Sequence, residues 1–88
     1  MPELSRFFGI IIRMYSEKNN VHHLPHIHVE SGNDKAELSL DGEVLAGSLP
    51  AKKLRMVQVW MNIHHDELLE DWALLSEGRK HFKIKPLE

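Results

Sequence analysis

Four of the seven histidines fall within seven consecutive positions, His22-His23-Leu24-Pro25-His26-Ile27-His28. Neutral imidazole ligates metals, and the same ring titrates close enough to neutrality to move protons. His26-Ile27-His28-Val29-Glu30 alternates polar and apolar side chains with the two-residue period of a half-buried strand. On such a strand His26 and His28 share one face with Cα atoms about 6.5 Å apart, within reach of one metal ion or one substrate. Pro25 stiffens the approach, and His22 can fold back over the pair. Three uses of the cluster stand side by side. The imidazoles can ligate zinc or another transition metal, with Asp41 or Glu30 as an oxygen ligand. They can act as general base and general acid, as a metal-free ribonuclease requires. They can also simply hydrogen-bond to backbone and stiffen a polar strand.

A second group, Lys52, Lys53 and Arg55, lies where a helix is expected to begin, although the helix dipole disfavours cations there. Free N–H groups at a helix start attract anions, so these three residues are candidates for holding phosphate, against the plainer reading of a solvated charged face. Arg79, Lys80, Lys83 and Lys85 form a second basic stretch. Asp66-Glu67-Leu68-Leu69-Glu70-Asp71-Trp72 presents carboxylates that mostly flank an apolar stripe, as solvent-facing acids on a long helix do. His64 and His65 lie close to that stripe. The chain carries no nucleotide-binding glycine loop, no serine elbow and no H-E-x-x-H motif.

These residues need elements to position them. The apolar, β-branched run Phe7–Tyr15 predicts a first strand, followed by a loop at Ser16–Asn20. His26–Glu30 and Lys35–Leu40 predict two strands joined at Ser31-Gly32-Asn33-Asp34, with Ala36, Leu38 and Leu40 on one face. Asp41-Gly42 is a further tight turn, and Glu43–Ala46 predicts a short fourth strand. Ser48 is placed to cap a helix that carries Pro50 in its first turn. Helical spacing then runs from Ala51 to Glu77, with Leu54, Val57, Met61, Leu68, Trp72 and Leu75 on one stripe and Trp60, Ile63 and Leu74 widening it. Both tryptophans read as core. A single helix of about 26 residues would be about 39 Å long, which leaves one continuous helix and a helix kinked or broken near Asn62–Asp66 both open. Gly78 suits the C-terminal cap, and Phe82, Ile84 and Leu87 suit a short closing edge strand.

At 88 residues there is material for one hydrophobic core, so residues 1–88 are expected to form a single domain. A hydrophobic fraction of 42% with 27% charged residues argues against disorder. The longest apolar run, Phe7–Ile12, is far short of the roughly 20 residues of a membrane span. The N-terminus lacks the pattern of an export signal, and the expected location is the cytoplasm. Without cysteine there are no disulfides, thiolate nucleophiles or sulfur-ligated zinc. The net charge of −2 conceals segregation, with residues 51–58 at +3, 66–77 at −5 and 79–88 at +3.

The order Phe8-Gly9-Ile10-Ile11-Ile12-Arg13-Met14-Tyr15, then His22, Pro25-His26-Ile27-His28-Val29-Glu30 and Gly47-Ser48-Leu49-Pro50 resembles the small bacterial proteins of the domain of unknown function 4160 family. Leu54, Trp60, His64, Glu67-Leu68-Leu69 and Trp72 extend the resemblance over nearly the whole chain. Leu24, where the family usually carries a second proline, and the additional His23 depart from the pattern, while the spacing of His22, His26 and His28 is intact. The resemblance implies a bacterial or phage origin and frequent encoding beside a second small protein, an arrangement that suggests a toxin–antitoxin pair. It singles out Arg13, His22, His26 and His28, with Lys52 and Arg55 behind them.

The expectation is therefore an α+β fold, a small antiparallel sheet of three to four strands packed against a long C-terminal helix, with one continuous helix and one kinked or split in two both open. The expected function is that of a toxin–antitoxin component acting on RNA, with His22, His26 and His28 as catalytic candidates and Arg13, Lys52 or Arg55 holding phosphate. The expected partners are a small protein of the same operon, RNA, and a second copy of the chain. The rival expectation is a non-catalytic interaction or metal-binding module in which the histidines are structural.

Overall fold

The computed structural model describes residues 3–15 and 24–88. Five strands, β1 (Glu3–Phe7), β2 (Ile10–Arg13), β3 (His26–Ser31), β4 (Asp34–Ser39) and β5 (Val44–Gly47), precede two helices, α1 (Ala51–Ile63) and α2 (His65–Ser76). The strands form one antiparallel sheet in chain order, β1-β2-β3-β4-β5. The α+β class holds, with five strands where three to four were expected.

The extra strand is β1, which ends at Phe7 where the expected strand Phe7–Tyr15 begins; that run holds a turn at Phe8-Gly9 and then β2. Phe8 and Gly9 both adopt positive φ, 49° and 75°. That is the backbone of a two-residue hairpin turn whose twist matches its flanking strands. A phenylalanine there is unfavourable by roughly 1–2 kcal/mol relative to ordinary φ, which is why the sequence reads as unbroken. Lys53 compensates from the start of α1, donating from Nζ to the Phe8 carbonyl at 2.6 Å.

The β3–β4 hairpin follows its turn residues. Ser31 pairs with Asp34 across Gly32-Asn33, and Gly32 supplies the positive φ of 59° that such a turn needs. With two residues in the loop the whole register follows, placing His28 opposite Glu37 and His26 opposite Ser39.

One face of the sheet carries the core. Ile10, Ile12, Ile27, Val29, Ala36 and Leu38 are buried with Val57, Trp60, Met61 and Leu68 of the helices. Each large apolar side chain so buried contributes about 1.5–3 kcal/mol. Trp60 lies at the centre of this layer, whereas Ile63, expected at the edge of the apolar stripe, is 61% exposed.

The helical segment splits at His64, whose φ of −108° and ψ of 25° interrupt the helix. Its Nδ1 lies 2.6 Å from Glu67 Oε1 in the first turn of α2. The cap expected from Ser48 is not made. Pro50 occupies the N-cap of α1 without a side-chain hydrogen bond, and Ser48 lies two residues before that position, where its backbone N–H donates to the Lys35 carbonyl and continues the strand pairing. At the far end Gly78, φ 72°, closes α2, with its N–H donating to the Leu75 carbonyl and that of Arg79 to the Leu74 carbonyl.

The C-terminal segment makes no strand, yet it is pinned at three points. The Ile84 N–H donates to Leu4 at 2.8 Å, Trp60 Nε1 donates to the Lys85 carbonyl at 2.8 Å, and the Phe82 N–H donates to Asp71 Oδ1 at 2.9 Å. Asp71 is fully buried, and burial raises its pKa above the ordinary aspartate value.

Candidate functional site

The face of the sheet opposite the core holds the polar cluster. The register aligns Arg13 of β2 with His28 of β3, His28 with Glu37 of β4, and Glu37 with Ala46 of β5, a row across four strands. Side chains two apart on a strand share a face, so His26 joins His28, and the two ring centroids lie 5.2 Å apart. Nδ1 of His28 is 3.5 Å from Glu37 Oε1.

The two histidines have different surroundings. His26 is fully buried, its ring 5.4 Å from that of Trp72 on α2. Its Nδ1 lies 2.8 Å from the Leu24 carbonyl oxygen. A carbonyl only accepts, so Nδ1 carries the proton and the neutral ring has its lone pair on Nε2. The departure from the family pattern at Leu24 leaves this contact in place, because it is made by the backbone. His28 meets the edge of the Tyr15 ring at a centroid distance of 4.4 Å. It lines a hollow of about 420 Å³ on the sheet face, together with Tyr15, Glu30, Lys35, Glu37 and Ala46. A substrate in that hollow meets His28 and Glu37 directly. His26 lies behind them, so an exchange of protons in which both rings touch one substrate does not suit this geometry.

The acidic partner of the histidines is Glu37, not Asp41 or Glu30. One ligand atom each from His26, His28 and Glu37 lie within 4.8 Å of one another. Glu30 instead forms an ion pair with Arg13 at 2.8 Å, and the Asp41 carboxylate is 3.7 Å from His65 Nε2. The sequence contained the signal for Glu37, since a two-residue turn at Gly32-Asn33 fixes the residue opposite His28.

The phosphate candidates separate. Arg13 lies in the same row as His28, with its guanidinium on Glu30. Lys52 and Arg55 line a different hollow with Met56, Val59 and Leu87, of about 460 Å³. The first turn of α1 contains no acidic residue, and Lys53 is occupied with the Phe8 carbonyl. His22 lies outside the described residues, as does the loop reading of Ser16–Asn20.

A profile of the family that the sequence resembles matches residues 9–73, from the Gly9 turn into α2. The chain belongs to the family described as Domain of unknown function (DUF4160). No curated protein and no solved structure matches it. The matched span of this DUF4160 member includes Arg13, His26, His28 and Glu37, and it omits β1 and the C-terminal segment. No helix among the described residues is long and apolar enough to cross a membrane.

Proposed function

We propose that this DUF4160 chain is one member of a bacterial toxin–antitoxin pair and acts on RNA in the cytoplasm, at the hollow on the open face of its sheet. The observation that carries the reading is the row Arg13, His28 and Glu37, which sets an imidazole and a carboxylate in one hollow and a guanidinium beside it, ion-paired with Glu30 of the lining. A ribose-phosphate segment needs a cation for its phosphate and a lone-pair or proton-bearing group near the 2′-hydroxyl. Arg13 has five N–H donors and gives only part of them to Glu30, so it can accept a phosphate without leaving its strand. Lys35, on the rim of the same hollow, adds a second cation. Lys52 and Arg55 line a separate hollow and are not part of this row.

The test is growth of bacteria expressing the chain alone, with its genomic neighbour, or as the His28→Ala and Arg13→Gln variants. Growth arrest that the neighbour and either variant relieve supports the reading. Equal arrest from soluble His28→Ala removes the site from the activity, and no arrest from the soluble parent removes the toxin role.

A second reading, a non-catalytic interaction module, draws on a different surface. Val59 and Ile63 stand exposed four residues apart on α1, close in sequence to Lys52 and Arg55. A helix face of this kind suits an acidic, amphipathic partner segment. Co-purification with the neighbour that is lost in a Val59→Asp/Ile63→Asp variant, without growth arrest by the parent, favours this reading.

A further inference from the structure

We infer that His26, His28 and Glu37 form a binding site for a divalent transition metal on the open face of the sheet. The inference goes beyond the RNA reading and stands without it, because it depends on three side chains whatever molecule later meets them.

The first ground is geometry. Tetrahedral coordination at 2.0–2.1 Å places neighbouring ligand atoms roughly 3.4 Å apart. Nδ1 of His28 and Oε1 of Glu37 already stand 3.5 Å apart. All three residues offer one ligand atom within 4.8 Å of the other two, so small side-chain rotations close the set. The strands supply this spacing, since His26 and His28 come from alternate positions of β3 and Glu37 from the residue paired with His28 on β4.

Orientation is the second ground. Histidines that bind metal usually donate their other ring N–H to a carbonyl or carboxylate, which fixes both tautomer and ring plane. His26 does this toward the Leu24 carbonyl, leaving Nε2 as the ligating atom. Trp72 against His26 and Tyr15 against His28 hold both rings, so little side-chain entropy is lost on binding.

The donor set then decides the class of metal. Two imidazoles and one carboxylate, in a chain without cysteine, suit zinc, cobalt, nickel, manganese or ferrous iron in preference to calcium or magnesium, which favour all-oxygen sites. Three protein ligands leave further coordination positions, and because His28 and Glu37 line the hollow, those positions open onto it. Sites of this type serve chemistry or exchangeable ligands more often than they serve as closed structural staples.

The experiment uses the whole chain without a histidine tag, stripped of metal and titrated calorimetrically with Zn²⁺. Co²⁺ is added in parallel, its visible absorption reporting coordination. The expected result is one equivalent of Zn²⁺, weakened about tenfold or more by Glu37→Gln and by His28→Ala, with His65→Ala outside the cluster binding as the parent does. Zn²⁺ should also raise the melting temperature of the parent more than that of Glu37→Gln at the same free Zn²⁺ concentration. Glu37 is partly exposed, and a melt of the metal-free variant confirms its fold. Binding that is unchanged in both Glu37→Gln and His28→Ala, or no stoichiometric binding by the folded parent, overturns the site. Stoichiometric metal without growth arrest sinks the toxin reading alone; arrest by a chain that binds no metal sinks the metal site alone.

Discussion

Replacing Gly47 with alanine tests whether β5 is held against β4 as tightly as the hollow requires. Gly47 has φ +73° and pairs with Ala36. A Cβ on it would lie 2.2 Å from the Lys35 carbonyl oxygen and 3.0 Å from the Ala36 Cα, both backbone atoms that cannot rotate away. Left-handed φ in an alanine is unfavourable by roughly 1–2 kcal/mol. Relieving the overlap requires the strands to separate by about 1 Å, enough to break the 3.1 Å bond from the Ser48 N–H to the Lys35 carbonyl, with a net loss of about 0.5–1.5 kcal/mol. Alanine restricts the unfolded chain and returns about 0.4–1 kcal/mol, so with the remaining strain the expected loss is roughly 2–3 kcal/mol. That is a large share of the roughly 5–13 kcal/mol expected for a domain of this length. Gly9→Ala is the matched control, since Gly9 has φ +75° but nothing within 4 Å of its added Cβ. Urea unfolding of both variants, followed by far-ultraviolet circular dichroism, isolates the overlap from the φ penalty. Because Gly47 and Ala46 line the hollow, Gly47→Ala should also weaken Zn²⁺ binding, whereas Gly9→Ala should not. If Gly47→Ala is no more destabilising than Gly9→Ala, the close approach of β5 to β4 is refuted.

Two further outcomes are expected. Burial raises the pKa of Asp71, and its Oδ2 has no hydrogen-bond partner among the described residues. The folded protein therefore holds the Asp71 proton more tightly than the unfolded chain does. The stability tied to that proton is fully present below the unfolded value of 3.8 and is lost as pH rises through the higher folded value. Asp71→Asn keeps an oxygen for the Phe82 N–H and cannot ionise. Its stability relative to the parent should rise with pH across that window in denaturant titrations, and a constant difference would contradict the burial argument. Trp60→Phe removes the donor to the Lys85 carbonyl and leaves a void in the core. A loss of about 2–3 kcal/mol is expected, with faster amide exchange or proteolysis in residues 79–88. Unchanged protection there would mean that the indole does not pin the C-terminal segment.

Local chemistry made part of the protein legible from its sequence. The alternation of His26-Ile27-His28-Val29 put both histidines on one face, because side-chain direction in a strand has a period of two whatever the strand pairs with. The same rule gave the buried positions Ala36, Leu38 and Leu40, and helical periodicity gave Val57, Met61 and Leu68. Gly32, Gly42 and Gly78 marked turns and a cap that need positive φ. Phe8-Gly9 escaped, since its positive φ at a phenylalanine runs against local preference and is supported by Lys53, a residue 45 positions away. Glu37 stood between these cases: its place opposite His28 follows by counting back from a two-residue turn, provided that the turn is known to have two residues.

Residue types and spacing thus determined which side chains could bind a metal or move a proton. Tertiary structure decided which of them meet. It buried His26 behind Trp72, gave Glu30 to Arg13 and Asp41 to His65, and left Lys52 and Arg55 beside a separate hollow. Those outcomes depend on strand register and on which helix covers which part of the sheet. A two-residue turn sets the β3–β4 register locally, but the pairing of β2 with β3, which no such turn joins, and the cover that the helices give the sheet are set by many residues packing together, so no short stretch of sequence encodes them.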